Sequence, residues 1–180
     1  MRVYDKHELL LLDACVLREN FDEAKAKSLL YRSLYKGSAA ENLADLAPYL
    51  FDLSNPYTFG QWYMENGWGQ AWGIMIQSTL PFEETYRHFR KFLLVKTEEG
   101  QELYFRFYDP RVLRIFLPTC DATQLKEFFG PVDYFICEDE DPAFGLVFSF
   151  ENGNLKQSRI VKQSLFDTER AKKKLFEDIK

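Results

Sequence analysis

Between Tyr104 and Arg114 the sequence YFRFYDPRVLR sets three arginines, Arg106, Arg111 and Arg114, around Tyr108 and Asp109, and Cys120 follows six residues later. A guanidinium offers a planar fork of donors that grips carboxylate or phosphate, so these arginines are the best anion-binding candidate in the chain. Chemistry on a bound anion would fall to Asp109 or Cys120. A thiol nucleophile needs a base. The two histidines, His7 and His88, are remote in sequence and form no Cys-His signature, and His88 reads as a helix-surface residue. The structural reading of Asp109 comes first: Asp at N-cap accepts backbone N–H groups, and proline at the next position loses no helical bond. Asp109-Pro110 is therefore a helix start, and Asp121 with Gln124 repeats the logic as an Asp-headed capping box.

The segment GWGQAWGI, residues 67–74, is the second unusual stretch. Glycines around Trp68 and Trp72 imply a tight turn or a close backbone approach, and each indole supplies a large apolar body. The pair either pins this loop to the core or faces a partner. Glu138, Asp139, Glu140 and Asp141 lack the alternating ligands and central glycine of a calcium loop, and they read as a solvated turn. No phosphate-binding glycine loop, HExxH or GxSxG is present. No metal, cofactor or catalytic residue is expected.

The elements that hold these groups follow from periodicity. ELLLLDAC, residues 8–15, reads as a buried strand, residues 21–31 as a helix and YRSLY, 31–35, as a short strand. That β-α-β opening predicts a parallel pair. Further strands are expected at YLFDL and WGIMIQS. A helix at PYTFGQWYMENG is expected to end on a C-cap at Gly67. PFEETYRHFRKFLL is an amphipathic helix with Pro81 at its first position. LLVKTEEGQELYFRFYD reads as a hairpin, with Leu103, Phe105 and Phe107 on one face of its second strand and Tyr104, Arg106 and Tyr108 on the other. The expected class is α/β in the mixed α+β sense. It has an N-terminal β-α-β part in a mixed sheet, two short helices within residues 110–129, a β-meander, and a basic amphipathic helix over 164–179.

The 180 residues suit one globular domain. With 17 Phe, 10 Tyr and 3 Trp, aromatics exceed a minimal core, and the surplus either enriches the core or lines a partner surface. The net charge of −5 disfavours nucleic acid. Residues 155–180 nevertheless hold eight Lys/Arg against four Asp/Glu, and Lys172, Lys173 and Lys174 in that tail could meet an acidic surface. Three widely spaced cysteines fit a reduced, cytoplasmic chain, and no signal peptide or membrane span is read.

GWGQAWGI and LYFRFYDPRVLRIFLPTC together resemble the type VI secretion effector-chaperone, or adaptor, family. The likeness extends through LLLLDAC, PYLFDL, FRKFLLV and FFGPVDYFICEDED, in order, over roughly residues 7–150. It implies a non-enzymatic cytoplasmic protein that binds a toxic effector and loads it onto the valine-glycine repeat spike, with residues 1–150 as the adaptor domain and 151–180 as a tail that carries cargo specificity. The family supplies no catalytic residues. The contact candidates come from the residues themselves: Trp68, Trp72, Tyr104, Arg106, Tyr108, Arg111, Arg114 and the tail lysines, with Asp109, Pro110 and Asp121 as caps. Two other readings stay open. One is a small enzyme that holds an anionic substrate on the arginines; the other is an immunity protein that neutralises a toxin.

Overall fold

Four consecutive leucines can all be buried in one strand only if both of its faces are covered. Such a strand opens the computed structural model, which describes residues 6–53, 57–96 and 99–165. It is β1 (His7–Asp13), followed by α1 (Ala14–Leu17), α2 (Phe21–Lys27), β2 (Tyr31–Ser33), α3 (Ser38–Asn42), β3 (Pro48–Asp52), α4 (Tyr57–Asn66) and β4 (Gly73–Ser78). Then come α5 (Phe82–Phe89), β5 (Leu94–Lys96), β6 (Glu102–Tyr104), α6 (Pro110–Phe116), α7 (Ala122–Phe129), β7 (Val132–Glu138), β8 (Phe144–Glu151) and β9 (Asn154–Val161).

Seven strands form one sheet in the order β2-β3-β1-β4-β7-β8-β9, while β5 and β6 make a separate ribbon. The mixed α+β class holds. Every ladder of the large sheet is antiparallel, so the expected parallel pair does not form. β3 enters between β1 and β2 and bonds to both, which leaves those two strands codirectional without a shared ladder.

Alternation along the central strands divides the core into two layers. Leu9, Leu11, Ile74, Ile76, Phe135 and Phe148 face α5, α6 and α7, where Phe89, Leu113 and Phe128 meet them. Leu10, Leu12, Phe51, Ile136 and Val147 face the other way, against Leu17, Phe21, Phe59 and Tyr63 of α1, α2 and α4. The aromatic surplus is largely spent here: Phe59, Phe89, Phe107, Phe128, Phe135 and Phe148 are all fully buried.

Several local expectations are corrected by packing. His88 is buried, not on the helix surface, and its Nε2 lies 2.8 Å from the Phe128 carbonyl; burial lowers its pKa. α4 ends at Asn66 and Gly67 follows it as the expected cap, without positive φ. This glycine is required because a Cβ there would lie 2.4 Å from the Trp72 ring. Pro81 is the N-cap residue of α5 rather than its first residue. The alternation across the second hairpin strand stops at Tyr104, so Tyr108 is buried instead of sharing an exposed face with Tyr104. The β8–β9 hairpin turns through Asn152 and Gly153, both with positive φ, as a two-residue turn of primed type requires. This places β9, from the expected tail, in the main sheet. Residues Lys162–Leu165 form a 3₁₀ turn; the rest of the expected C-terminal helix, with Lys172, Lys173 and Lys174, lies outside the described residues.

Gly73 sits opposite Leu12, and an added Cβ would fall 2.0 Å from the Leu11 carbonyl oxygen. That contact is with backbone, which has nowhere to retreat. Gly73→Ala is expected to destabilise the fold by about 3 kcal/mol or more. Gly100→Ala, at φ +81° with open space around it, is expected to cost about 1 kcal/mol. Urea unfolding midpoints of the two variants check the order.

Candidate functional site

The arginine-rich corner begins where β6 ends and the chain dives into the core. Phe105 packs on Phe116 with centroids 4.7 Å apart, and Phe107 packs edge-on against Phe128 at 5.6 Å. These contacts anchor both ends of a turn whose polar groups face a common centre. Asp109 caps α6 by accepting the Arg111 N–H at 2.9 Å. Its two carboxylate oxygens also take Nε and Nη2 of Arg111 at 2.9 and 2.7 Å. Arg106 instead reaches Asp13 at the end of β1, with Nη2 2.6 Å from Oδ2, and stands 3.8 Å from Asp109. Asp121 makes the complete capping box with Gln124 on α7.

A second set of polar bonds joins this corner to the tryptophan loop. The buried Glu138 carboxylate, at the end of β7, accepts the Gly69 N–H at 2.5 Å and the Ala71 N–H at 3.0 Å. Gly69 and Ala71 both have positive φ, and this conformation lets alternate N–H groups converge on one anion. Trp68 Nε1 donates to the Pro142 carbonyl at 2.9 Å, and Arg114 Nη1 donates to the Glu138 carbonyl at 2.7 Å. Trp72 accepts the Asp13 N–H at 2.8 Å through its own carbonyl.

Three acids at this centre, Asp13, Asp109 and Glu138, are at most 5% exposed, and their protonation equilibria diverge. Burial raises the pKa of Asp13, and the Arg106 pair only partly opposes it. Glu138 is likewise raised by burial, against the two loop N–H groups and Arg114. For Asp109, burial also pushes upward, but the hydrogen bonds and charge of Arg111 prevail and the pKa is lowered.

Of the contact candidates, Arg106, Arg111 and Arg114 do converge, together with Asp109, on one region. Arg106 and Arg111 are already engaged by carboxylates of the chain itself. Trp68, Trp72 and Tyr108 are buried and serve the core rather than a contact surface, because loop and corner fold inward onto the sheet. Tyr104 remains 59% exposed. Cys120 donates to the Phe116 carbonyl at 3.4 Å, and burial, then Asp121, raises its pKa, the reverse of nucleophile activation. Cys137 is pushed up to about 12 by burial.

A shallow cleft of about 330 Å³ lies between the loop and α6, with Arg111 and Arg114 facing Glu138, Asp139 and Glu140. Cations and acids there offset one another. Among the described residues no cluster of His, Cys, Asp or Glu is placed to hold a metal, and no described helix is long and apolar enough to cross a membrane.

Asp13 and Glu138 are the site residues that sequence reasoning missed. Each had a signal. Asp13 ends an apolar strand just before ACVL, as a cap would, and Glu138 continues the face-sharing phase of Tyr134 and Ile136 instead of opening a solvated turn.

The molecule is thus a mixed α+β domain whose polar centre is made of caps and internal ion pairs joining a corner, a loop and the ends of two strands. The chain belongs to the family described as Domain of unknown function (DUF4123), whose model matches residues 9–127. No curated protein and no solved structure matches it.

The lowered pKa of Asp109 fixes a sign. Its contribution is fully present above the ordinary aspartate value of 3.8 and is lost as pH falls through the lower folded-state value. Asp109→Asn is expected to lower the urea midpoint at pH 7 by about 1–2 kcal/mol equivalent. The gap to the unsubstituted protein should narrow below pH 3.8; a gap that is constant with pH would contradict the assignment.

Proposed function

We propose that this protein is a non-enzymatic adaptor that binds a secreted toxic effector in the bacterial cytoplasm and presents it to the valine-glycine repeat spike of a type VI secretion system. One observation carries the reading: the β5–β6 ribbon displays apolar side chains on both faces. Leu94 pairs with Tyr104 and Val95 with Leu103, and their exposures are 50, 59, 39 and 44%. A two-stranded ribbon gains little stability by itself, and clustered exposed apolar groups mark interaction sites. The motif resemblance supports the same reading.

The arginine corner gives less support to an enzyme acting on an anion. A substrate would have to displace the buried carboxylate of Asp13 or Asp109 from its partner, and stripping a buried charge of its counterion costs several kcal/mol.

The test is affinity purification of the tagged full chain from its native bacterium, with mass spectrometry of what stays bound. A spike protein and one large effector in near-stoichiometric amounts are expected. Leu103→Glu should lose the effector or the spike while the melting temperature stays within the range of ordinary surface substitutions, about 0.5 kcal/mol. Recovery of the protein alone would overturn the adaptor reading. A captured toxin whose activity is abolished on binding would favour the immunity alternative.

A further inference from the structure

The large sheet ends at β9, and among the described residues nothing pairs with the outer side of that strand. β9 runs for eight residues and pairs with β8 without a break from Asn154 to Val161. The opposite edge, β2, offers only three residues. Proteins commonly blunt an exposed edge with charged side chains, lysine above all, or with proline, a bulge, shortness or a covering element. NLKQSRIV contains neither proline nor glycine and its register has no irregularity, so its cations are the guard that the strand itself carries, and they turn away a like-charged strand while leaving the edge open to an acidic one.

Charge and packing define what would fit. Residues 154–162 contain Lys156, Arg159 and Lys162 and no acid. Arg159 is committed to Asp139 at 2.5 Å and stacks over the Phe144 ring. Lys156 is exposed and Lys162 half-buried, and neither has an ion-pair partner among the described residues. Leu155 packs on one core layer and Ile160 on the other. Both are only half-buried, so one more strand would extend both layers.

We infer that β9 is a docking edge for an extended acidic segment of the protein's partner, which adds to the sheet as a further strand. The inference rests on the adaptor reading and names the chemistry of the segment recognised. Main-chain hydrogen bonds supply affinity in this mode, and alternate side chains supply choice. An acid opposite Lys156 and apolar residues opposite Leu155 and Ile160 satisfy all three positions. A second copy of the chain fits worse: in any register this edge offers Lys156 no acid, since residues 154–162 contain none.

The test places a photo-cross-linking amino acid at Gln157 of the full chain in the native bacterium and maps the linked peptides after capture. Links to an extended acidic segment of the captured partner are expected. The double variant Lys156→Glu/Lys162→Glu should lower the linked yield about tenfold with an unchanged melting temperature, and Lys156→Arg should retain it. If the partner is still captured but the links fall on a helix, a basic segment or a second copy, the inference fails and the adaptor reading stands. An unchanged yield in the double variant has the same meaning. Capture of no partner at all overturns both.

Discussion

At the end of the central strand the Asp13 carboxylate takes the Cys15 N–H on one oxygen and the Arg106 guanidinium on the other, while its backbone N–H bonds the Trp72 carbonyl. The strand end, the first helical turn, the tryptophan loop and the arginine corner therefore meet at one nearly buried residue. Burial of a carboxylate is expensive, and its pairing rewards only a close, well-oriented partner. Arg106 can be that partner only if Phe105 and Phe107 on either side of it are seated in the aromatic layer. The ion pair and the apolar packing thus constrain one another: if the ring cluster shifts, the acid loses its cation, and if the cation is lost, the strand end holds an uncompensated charge.

Glu138 imposes the same kind of constraint on the other side of the loop. Its two N–H donors need left-handed backbone at Gly69 and Ala71, and that geometry brings Trp68 against the β7–β8 turn and Trp72 against Trp62. Arg114 then ties α6 to the same strand end through the Glu138 carbonyl. Of the arginines that appear in sequence to await an external anion, Arg106 and Arg114 are cross-braces between elements distant along the chain, and Arg111 closes on its own helix cap, Asp109. The chain supplies its own anions, Asp13 and Asp109.

What the sequence disclosed divides by range. The helix starts at Asp109-Pro110 and Asp121 were legible because a cap is satisfied within three residues of itself. The strands that form β1, β4, β7 and β8 were legible in ELLLLDAC, WGIMIQS and the meander over 132–155 because burial imposes period or run length on a short window. The insertion of β3 between β1 and β2 was not, since nothing local to YRSLY or PYLFD states which edge each joins. His88 was misread for the same reason: its partner is a carbonyl forty residues away. The face of Tyr108 was misassigned because alternation was extended four residues beyond the ribbon, where the chain had already turned into the core.

The burial of the motif residues bears on how family likeness should be used. Trp68, Trp72, Phe107, Tyr108, Asp109, Leu113 and Leu117 all lie in GWGQAWGI or LYFRFYDPRVLRIFLPTC, and all are buried. Side chains withdrawn from solvent cannot choose between partners; they can only hold a surface in place. The likeness therefore covers the buried scaffold and also the exposed ribbon, since Leu94 and Val95 end FRKFLLV while Leu103 and Tyr104 open LYFRFYDPRVLRIFLPTC. On the proposed adaptor reading, choice between partners falls to side chains that solvent can reach outside those motifs, such as those of the β9 edge. β9 lies beyond the matched residues 9–127, so the proposed docking edge sits on the part of the large sheet that the family model does not cover, while the ribbon and the buried corner that anchors it lie within the matched residues.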